Sequence, residues 1–593
     1  MSGLHQHQYL HRIARRPRRN EGTGQCRHRR DERAGAAGGA RRPARRHRQC
    51  GGVPGQRRIV VHDRHASAGR RRADDRPAPR LGSRGTGHVR RAGRDGGSGQ
   101  GRSGGVTTAA ATAAVPRPEK LPVWLKATHG LGSIAYGVKD NGFSTFLLLF
   151  YNQVIGLDAG IVGAAIMMAL IADAFVDPVI GELTDRTRSR WGRRLPWLYI
   201  APIPLAIAWM LLWSPPAMSD TMTVAWLIGF AIIVRSLVSC CEVPSVAIVP
   251  ELTGDYDERT AVMRFRFLFG WGGGLLILLL AYGVFFGGAK GLVDPDGYFP
   301  YALAGALMMT GAVLVSAAGQ HKRIAVSNLT DVKPVMTLRQ ILRDMRDTLS
   351  NRAFLWLIFA ALFGFINQGI TFSMNNYLLG FFWQFTQGEM VAYVFLLFAS
   401  MIAAFVIVGP LSAKLGKRDG AIVAGAIALL VNSGIYFAWI QGVFPGLPGK
   451  PSVATMFALV FVSNSFSIVL MILSSSMMAD VVEASQSETG RRSEGLFFAG
   501  YFFMQKCATG VGIFLAGLIL SFAEFPASAK PGEVGDAVLG NLALGYALSV
   551  LVIGLLGLIV MRRFPISRAD HEARIAILGD AARADVDASG AHP

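Results

Sequence analysis

Apolar residues between about 122 and 563 gather into runs of about 18 to 28, separated by short polar connections. Each run is long enough to cross a hydrocarbon layer roughly 30 Å thick. The pattern predicts twelve helical spans, near 126–153, 159–183, 195–214, 222–250, 262–287, 299–318, 353–383, 389–413, 420–441, 453–482, 495–524 and 538–561. Alternate connections are basic. Arg186, Arg188, Arg190, Arg193 and Arg194 follow the second run, Arg259 and Arg264 the fourth, and Lys322 and Arg323 the sixth. Lys414, Lys417 and Arg418 follow the eighth, Arg491 and Arg492 the tenth, and Arg562 and Arg563 the twelfth. Short basic connections stay in the cytoplasm, so both termini are expected there, with the body in a bacterial-type inner membrane.

The expected fold is therefore an all-α polytopic membrane protein, with twelve transmembrane helices in two six-helix bundles at 119–320 and 353–563. A cytoplasmic loop at 321–352 joins them, and a cytoplasmic tail follows at 564–593. Within the loop, LRQILRDMRDTL (338–349) has the apolar spacing of a helix lying along the membrane face. GELTDRTRSRWGRR (181–194) and GPLSAKLGKRDG (409–420) occupy matching places in the two halves. Six spans repeated is the layout of a transporter.

Charge changes the picture at the N-terminus. The chain carries +22 overall, yet residues 1–117 alone hold 28 Arg against 7 acidic residues, so the remainder is nearly neutral. This Arg/Gly-rich segment, taken as 1–118, has no sustained apolar period and cannot bury enough surface to fold by itself. A nucleic-acid or anionic-lipid arm is one reading. The preferred expectation is a start codon assigned too far upstream, with the true start near Val106–Val115, so no nucleic-acid partner is expected. The five cysteines, Cys26, Cys50, Cys240, Cys241 and Cys507, form neither a CxxC nor a zinc spacing. No Walker A, HExxH or GxSxG occurs in the membrane body. An enzyme has no residues to rest on, and no cofactor or metal is expected.

The candidate chemistry lies in polar residues within the spans. Asp173 and Asp177 stand four apart, on one face of span 2. A charge at the bilayer centre costs about 2.5–3.5 kcal/mol on insertion scales, so the pair needs a cation, a proton or a basic partner. Asp185 sits beside Arg186 and belongs with the loop, where Asp185, Arg186, Arg190, Arg193, Arg194 and Arg491 are candidate cytoplasmic gate residues. In span 4, Arg235, Ser239 and Glu242 form one helical stripe. Two readings of Arg235 fit: it lines a solute path, or it pairs with an aspartate. Lys506 in span 11 must find a carboxylate or lose its proton, and Asp173, Asp177 and Glu242 are its candidate partners. Span 1 adds Lys139 and Asp140, and span 7 adds Asn367 and Asn375, which suit a hydroxyl-rich solute or helix packing. The glycines of GWGGG (270–274) read as a close-packing face.

DAFVDPVIGELTDRTRSRWGRRLPW (173–197) resembles the span 2–3 signature of the glycoside–pentoside–hexuronide:cation symporters, the melibiose permease group of the major facilitator superfamily. EVPSVAIVPELTGDYDERT (242–260), RFLFGWGGG (266–274), MADVVEASQSETGRRSEG (478–495) and the lysine of FFMQKCATG add to the resemblance, which spans about residues 120–563. It implies the major facilitator fold and symport of a sugar-like solute with Na⁺ or H⁺. By position, Asp173 and Asp177 match cation-site carboxylates and Ser239 a hydroxyl ligand. Glu242 matches an acidic sugar-site residue, Arg266 a span 5 arginine and Lys506 the span 11 lysine. Three positions depart from the pattern. Val176 stands where sodium-using members carry an amide, Val246 where an aromatic stacks on the sugar, and Gly137 near the span 1 aspartate, with Asp140 a turn further on. Two carboxylates without the amide oxygen favour H⁺, held by Asp177 with Asp173 assisting.

The leading expectation is thus a monomeric symporter of a sugar, glycoside or hexuronide, its partners being that small solute and the bilayer. A carrier of a lysolipid or other amphiphile on the same fold is the alternative. A non-transporting membrane sensor or scaffold is the third.

Overall fold

In a computed structural model the long apolar runs are helices. Residues 120–565 are described, except 254, 289, 328–350, 445, 448–449 and 490–493. All of them lie in one of the chain's two units, Ala110–Pro593. The arginine-rich segment 1–118, the helix expected at 338–349, Arg491 and the tail beyond 565 fall outside the described residues.

The first half begins with α1 (Val123–Leu131), α2 (Ile134–Asn141) and α3 (Leu147–Leu149), interleaved with π-helical turns at Gly142–Phe146 and Phe150–Val154. It continues through α4 (Ala159–Arg186), α5 (Leu195–Ile200), α6 (Pro202–Leu212), α7 (Asp220–Leu252), α8 (Tyr256–Leu280) and α9 (Pro295–Ser327). The second half comprises α10 (Arg352–Tyr377), α11 (Gln387–Ile440), α12 (Val453–Thr489), α13 (Glu494–Phe522) and α14 (Asp536–Met561). At the starts of α4, α10 and α11, side chains satisfy free backbone N–H groups. Asp158 accepts from Ile161 N–H at 2.9 Å, Asn351 accepts from Phe354 N–H at 3.0 Å, and Thr386 with Glu389 forms a capping box.

The expectation of twelve separate spanning helices is met differently. Among the described residues, nine helices are long and apolar enough to cross a membrane, by length and composition alone. The run at 126–153 is divided by its π turns, and that at 195–214 is divided at Ala201, ahead of Pro202. The runs at 389–413 and 420–441 together form the 54-residue α11, which leaves helical geometry at Gly416 (φ 79°, ψ 173°). Nine residues of continuous helix would separate Leu411 from Gly420 by about 13.5 Å. A Cβ on Gly420 would instead touch Leu411 Cγ at 3.6 Å, so α11 folds back on itself as two arms. Only glycine adopts that φ without strain. The sixth helix also runs past 320, to Ser327.

Small residues bring the helices close. The GWGGG stretch of α8 lies against α2, where a Cβ on Gly273 would sit 2.9 Å from Ile134 Cα. Between the halves, α4 packs along α13, and α10 packs on the turn at Gly142–Phe146. A Cβ on Gly163 would lie 3.1 Å from the Ile513 carbonyl oxygen and one on Gly510 3.3 Å from Met167 Cα, so larger residues would push α4 and α13 apart.

The apolar core is unevenly shared. One cluster runs through the first half and into the second-half segments farthest from the basic connections, including Tyr377, Phe381, Tyr436 and Leu520. A separate cluster fills the second half near its basic connections, with Phe354, Leu473, Val481 and Phe497. The halves therefore share a core at one end and hold separate cores at the other.

Candidate functional site

Asp173 is the most enclosed carboxylate at the boundary between the halves. Its helix, α4, is clasped by α7 on one side and α13 on the other. The Arg235 guanidinium donates to Asp173 Oδ2 through Nε at 3.0 Å and Nη2 at 2.8 Å. Ser239, one turn further along α7, donates from Oγ to Oδ1 at 3.1 Å. Lys506 Nζ reaches across from α13 to the same Oδ2 at 2.9 Å. Asp173, Arg235 and Ser239 are all buried. An ion pair removed from water at both ends is strongly held only when its remaining hydrogen bonds are made, and both Asp173 oxygens are hydrogen-bonded here.

Asp177 differs, although it lies one turn away on the same face. Its Oδ2 takes Lys506 Nζ at 2.5 Å, while Oδ1 is buried without a hydrogen-bond partner. The side chain is 30% exposed against 2% for Asp173. Lys506 thus spans two carboxylates of the other half, one sealed and one open. Pro178 follows Asp177 directly and removes a backbone hydrogen bond from α4 at this depth.

A second polar group lies beside the first. Glu242, Arg266, Ser245, Tyr136, Ser133 and Ser316 border a crevice of about 20 Å³, room for a water. Arg266 Nη1 donates to Ser245 Oγ at 2.6 Å, and Glu242 makes no ion pair among the described residues. Lys139 is buried, lies 4.4 Å from the Tyr136 ring centroid, and pairs at 2.8 Å with Asp140, which is 40% exposed. In all, Lys139, Arg235, Arg266 and Lys506 face Asp140, Asp173, Asp177 and Glu242, four charges of each sign.

Other expected positions are placed elsewhere. Arg235 is held by Asp173 at the carboxylate centre, so of its two readings the ion pair is the one formed, and it does not border the Glu242 crevice. Asn367 donates to the Val550 carbonyl at 3.3 Å, and Asn375 accepts from Tyr393 Oη at 2.8 Å; both bind second-half partners. Glu242, offered as a partner for Lys506, is passed over for the two aspartates. In the loop, Arg194 joins Asp185 at 3.0 Å to Glu251 at 2.8 Å and also meets the Ala247 carbonyl. Arg193 pairs with Glu251 and Arg186 with Glu182, while Arg190 is exposed. Arg194 thereby ties α4 to α7 within the first half.

Other polar contacts join the halves directly. Asn376 Nδ2 donates to the Thr145 carbonyl at 2.9 Å and its Oδ1 accepts from Tyr282 Oη at 2.6 Å. Tyr377 Oη donates to Asn152 Oδ1 at 2.9 Å, and Gln153 meets Pro526 and Ala529. All join the halves at the end away from the basic connections. Asn152 and Gln153 close the run at 126–153, where polar residues are ordinary and give no signal. His129, buried with Nδ1 2.7 Å from Gln320 Oε1, was overlooked as a lone polar residue in an apolar run.

A protein family described as "MFS/sugar transport protein" matches residues 128–568. The isoprimeverose transporter of Lactiplantibacillus pentosus is 26% identical over 466 residues, covering 77% of this chain and 92% of that protein. The sodium-dependent lysophosphatidylcholine symporter 1 of Gallus gallus is 24% identical, covering 77% and 88%. Among solved structures, a D-xylose-proton symporter superposes with a TM-score of 0.54 at 15% identity, over 75% of this chain and 98% of that one, which shows a common fold. With the described helices, these similarities make the chain an integral membrane transporter with the major facilitator fold and no enzyme. It belongs to the MFS/sugar transport protein family, in the glycoside–pentoside–hexuronide:cation symporter group.

Proposed function

We propose that this transporter carries a sugar, glycoside or hexuronide together with a proton, in a bacterial-type inner membrane, as a monomer with both termini in the cytoplasm. The observation that carries the reading is Lys506, which bridges Asp173 and Asp177 from the opposite half while one Asp177 oxygen stays unpartnered. A proton on Asp177 neutralises one end of the bridge, so Lys506 is held across the halves by Asp173 alone. The halves then rock about the loaded site. Glu242 and Arg266 provide a carboxylate and a guanidinium for a hydroxyl-rich solute, and Lys139 with Asp140 flanks them. The similarity to an isoprimeverose transporter supports a sugar-like cargo. The basic connections set the orientation by the positive-inside rule.

A lysolipid is the second reading, favoured by the similarity to a lysophosphatidylcholine symporter and by the exposed Val246 on α7, where an aromatic sugar platform is missing. Membrane vesicles energised by an imposed pH gradient, offered a panel of labelled sugars and a labelled lysolipid, test both. Proton-driven uptake of a sugar is expected. Uptake driven by a sodium gradient and indifferent to pH would overturn the proton, and uptake of the lysolipid alone would overturn the sugar.

A further inference from the structure

We infer that Arg235 is the residue that decides which ion this transporter couples to: its guanidinium is a tethered cation, seated where a sodium ion would need to bind Asp173. The inference rests on the proton-coupled reading and names the side chain that enforces it.

An ionised carboxylate offers about four lone-pair sites. Asp173 receives four donors, two N–H groups from Arg235 and the Lys506 ammonium on Oδ2, and the Ser239 hydroxyl on Oδ1. Oδ2 is thereby filled, and Oδ1 keeps a single lone-pair site. A hard cation binds several oxygens together, and the candidates left at this centre are that one Oδ1 site, the Asp177 carboxylate and the Ser239 lone pairs. Val176, between the two aspartates, supplies no side-chain oxygen. Charge points the same way. Asp173 and Asp177 are already balanced by Arg235 and Lys506, so a sodium ion would leave an uncompensated positive charge in a low-dielectric setting.

Arg235, rather than Lys506, is the permanent part of this balance. It belongs to the same half as Asp173, so rocking of the halves does not carry it away. A guanidinium does not lose its proton in a protein. Its flat face also lies over Phe143, 5.1 Å from the ring centroid, which fixes the fork toward Asp173. Lys506 comes from α13 and leaves with it. Through the whole cycle Asp173 therefore keeps a cation of its own, and the exchangeable proton falls to Asp177.

The test is sodium-specific stabilisation of the purified full chain in detergent, with sodium replaced by choline at constant ionic strength. The wild type is expected to unfold at the same temperature in both. Arg235→Ala, which vacates the seat, is expected to unfold roughly 5 °C higher in saturating sodium than in choline. Arg235→Gln, which keeps side-chain donors and adds an amide oxygen, serves if the alanine variant does not fold, with the same shift expected. Arg235→Lys retains the charge and is expected to show none. A sodium shift in the wild type, or folded neutral variants without one, overturns the assignment. The two proposals fail separately: a sodium shift gained by Arg235→Gln beside wild-type uptake that ignores the pH gradient would retain Arg235 and discard proton coupling. Proton-driven uptake beside sodium-blind variants would do the reverse.

Discussion

The two halves meet at two levels built from different materials. At the end away from the basic connections the contacts are neutral: Ser373 to the Ser144 carbonyl, Asn376 to Thr145 and Tyr282, Tyr377 to Asn152, and Gln153 to Pro526 and Ala529. A continuous apolar core lies around them. Deeper toward the basic connections the link is ionic, Lys506 on Asp173 and Asp177, and beyond it the cores are separate. Neutral hydrogen bonds between buried groups do not answer to protons, whereas on the proposed proton coupling the ion pair at Asp177 does. The difference separates a contact that holds the halves from one that can be switched. It also explains why the charges are so unequally shared: seven of the eight named above lie in the first half, and Lys506 is the second half's contribution.

The largest effect on the fold is expected from Asp173→Ala. It strands the buried Arg235 guanidinium, and removing one partner of a buried pair costs about 3–5 kcal/mol. Denaturant or thermal unfolding in detergent measures the loss. Replacing both partners with apolar residues, Asp173→Leu with Arg235→Met, is expected to recover most of it. If the single and double changes were equally costly, the pair would not be the source.

Lys506→Ala is expected to separate transport from stability. Asp173 keeps Arg235 and Ser239, and Asp177 is open enough to hydrate, so the unfolding midpoint should move little. Coupled uptake should fall roughly a hundredfold, the usual scale for truncating one member of a hydrogen-bonded charge pair. A variant that lost stability and kept uptake would make Lys506 a strut and remove the switch.

Much of this interface was legible in the residues, and the reason is energetic. An ionisable side chain in an apolar run has to be compensated, so Asp173, Asp177, Arg235 and Lys506 announced themselves, and basic connections marked the alternation of sides. Which cation met which carboxylate was not legible, because helical spacing gives the face of a residue and says nothing of its neighbour on another helix. Arg235 accordingly had two readings, and Glu242 was offered to Lys506 on equal terms with the aspartates. The neutral level was harder still. Amides and hydroxyls in spans serve packing and binding alike; Asn375 and Asn376 stand side by side in span 7 with the same chemistry, yet Asn375 binds Tyr393 within its own half while Asn376 joins the halves. Breaks in helices were legible where the connection is basic and not where it is apolar. The fold-back of α11 at Gly416 falls in the basic connection between the runs at 389–413 and 420–441, where a break was expected, whereas the π turns of the first run leave no mark in apolar periodicity.

At the neutral level, Asn376→Ala should cost about 1–3 kcal/mol, because it leaves the Thr145 carbonyl and the Tyr282 hydroxyl buried without their partner. The measurable consequence is access: a cysteine placed at Ser144 should react several-fold faster with a membrane-impermeant thiol reagent than it does beside the intact amide. Unchanged labelling would mean that this end is held by apolar packing alone.

Tyr377→Phe is the smallest and most discriminating change. It deletes one hydroxyl, whose good hydrogen bond is to Asn152 Oδ1, and leaves the ring packed on Phe381 and Phe525. A net loss of about 1 kcal/mol is expected. Since neither Tyr377 nor Asn152 changes charge in the pH range where carboxylates titrate, that loss should be the same at acid and neutral pH. The consequence of Lys506→Ala should vary with pH, because protonation of Asp177 removes one of the two carboxylates on which Lys506 acts. Unfolding and uptake of the two variants, each followed across that pH range, set the levels side by side. A pH-dependent Tyr377→Phe would show that the neutral contacts are coupled to the ionic ones, and the halves would then be released by a single event reaching both levels.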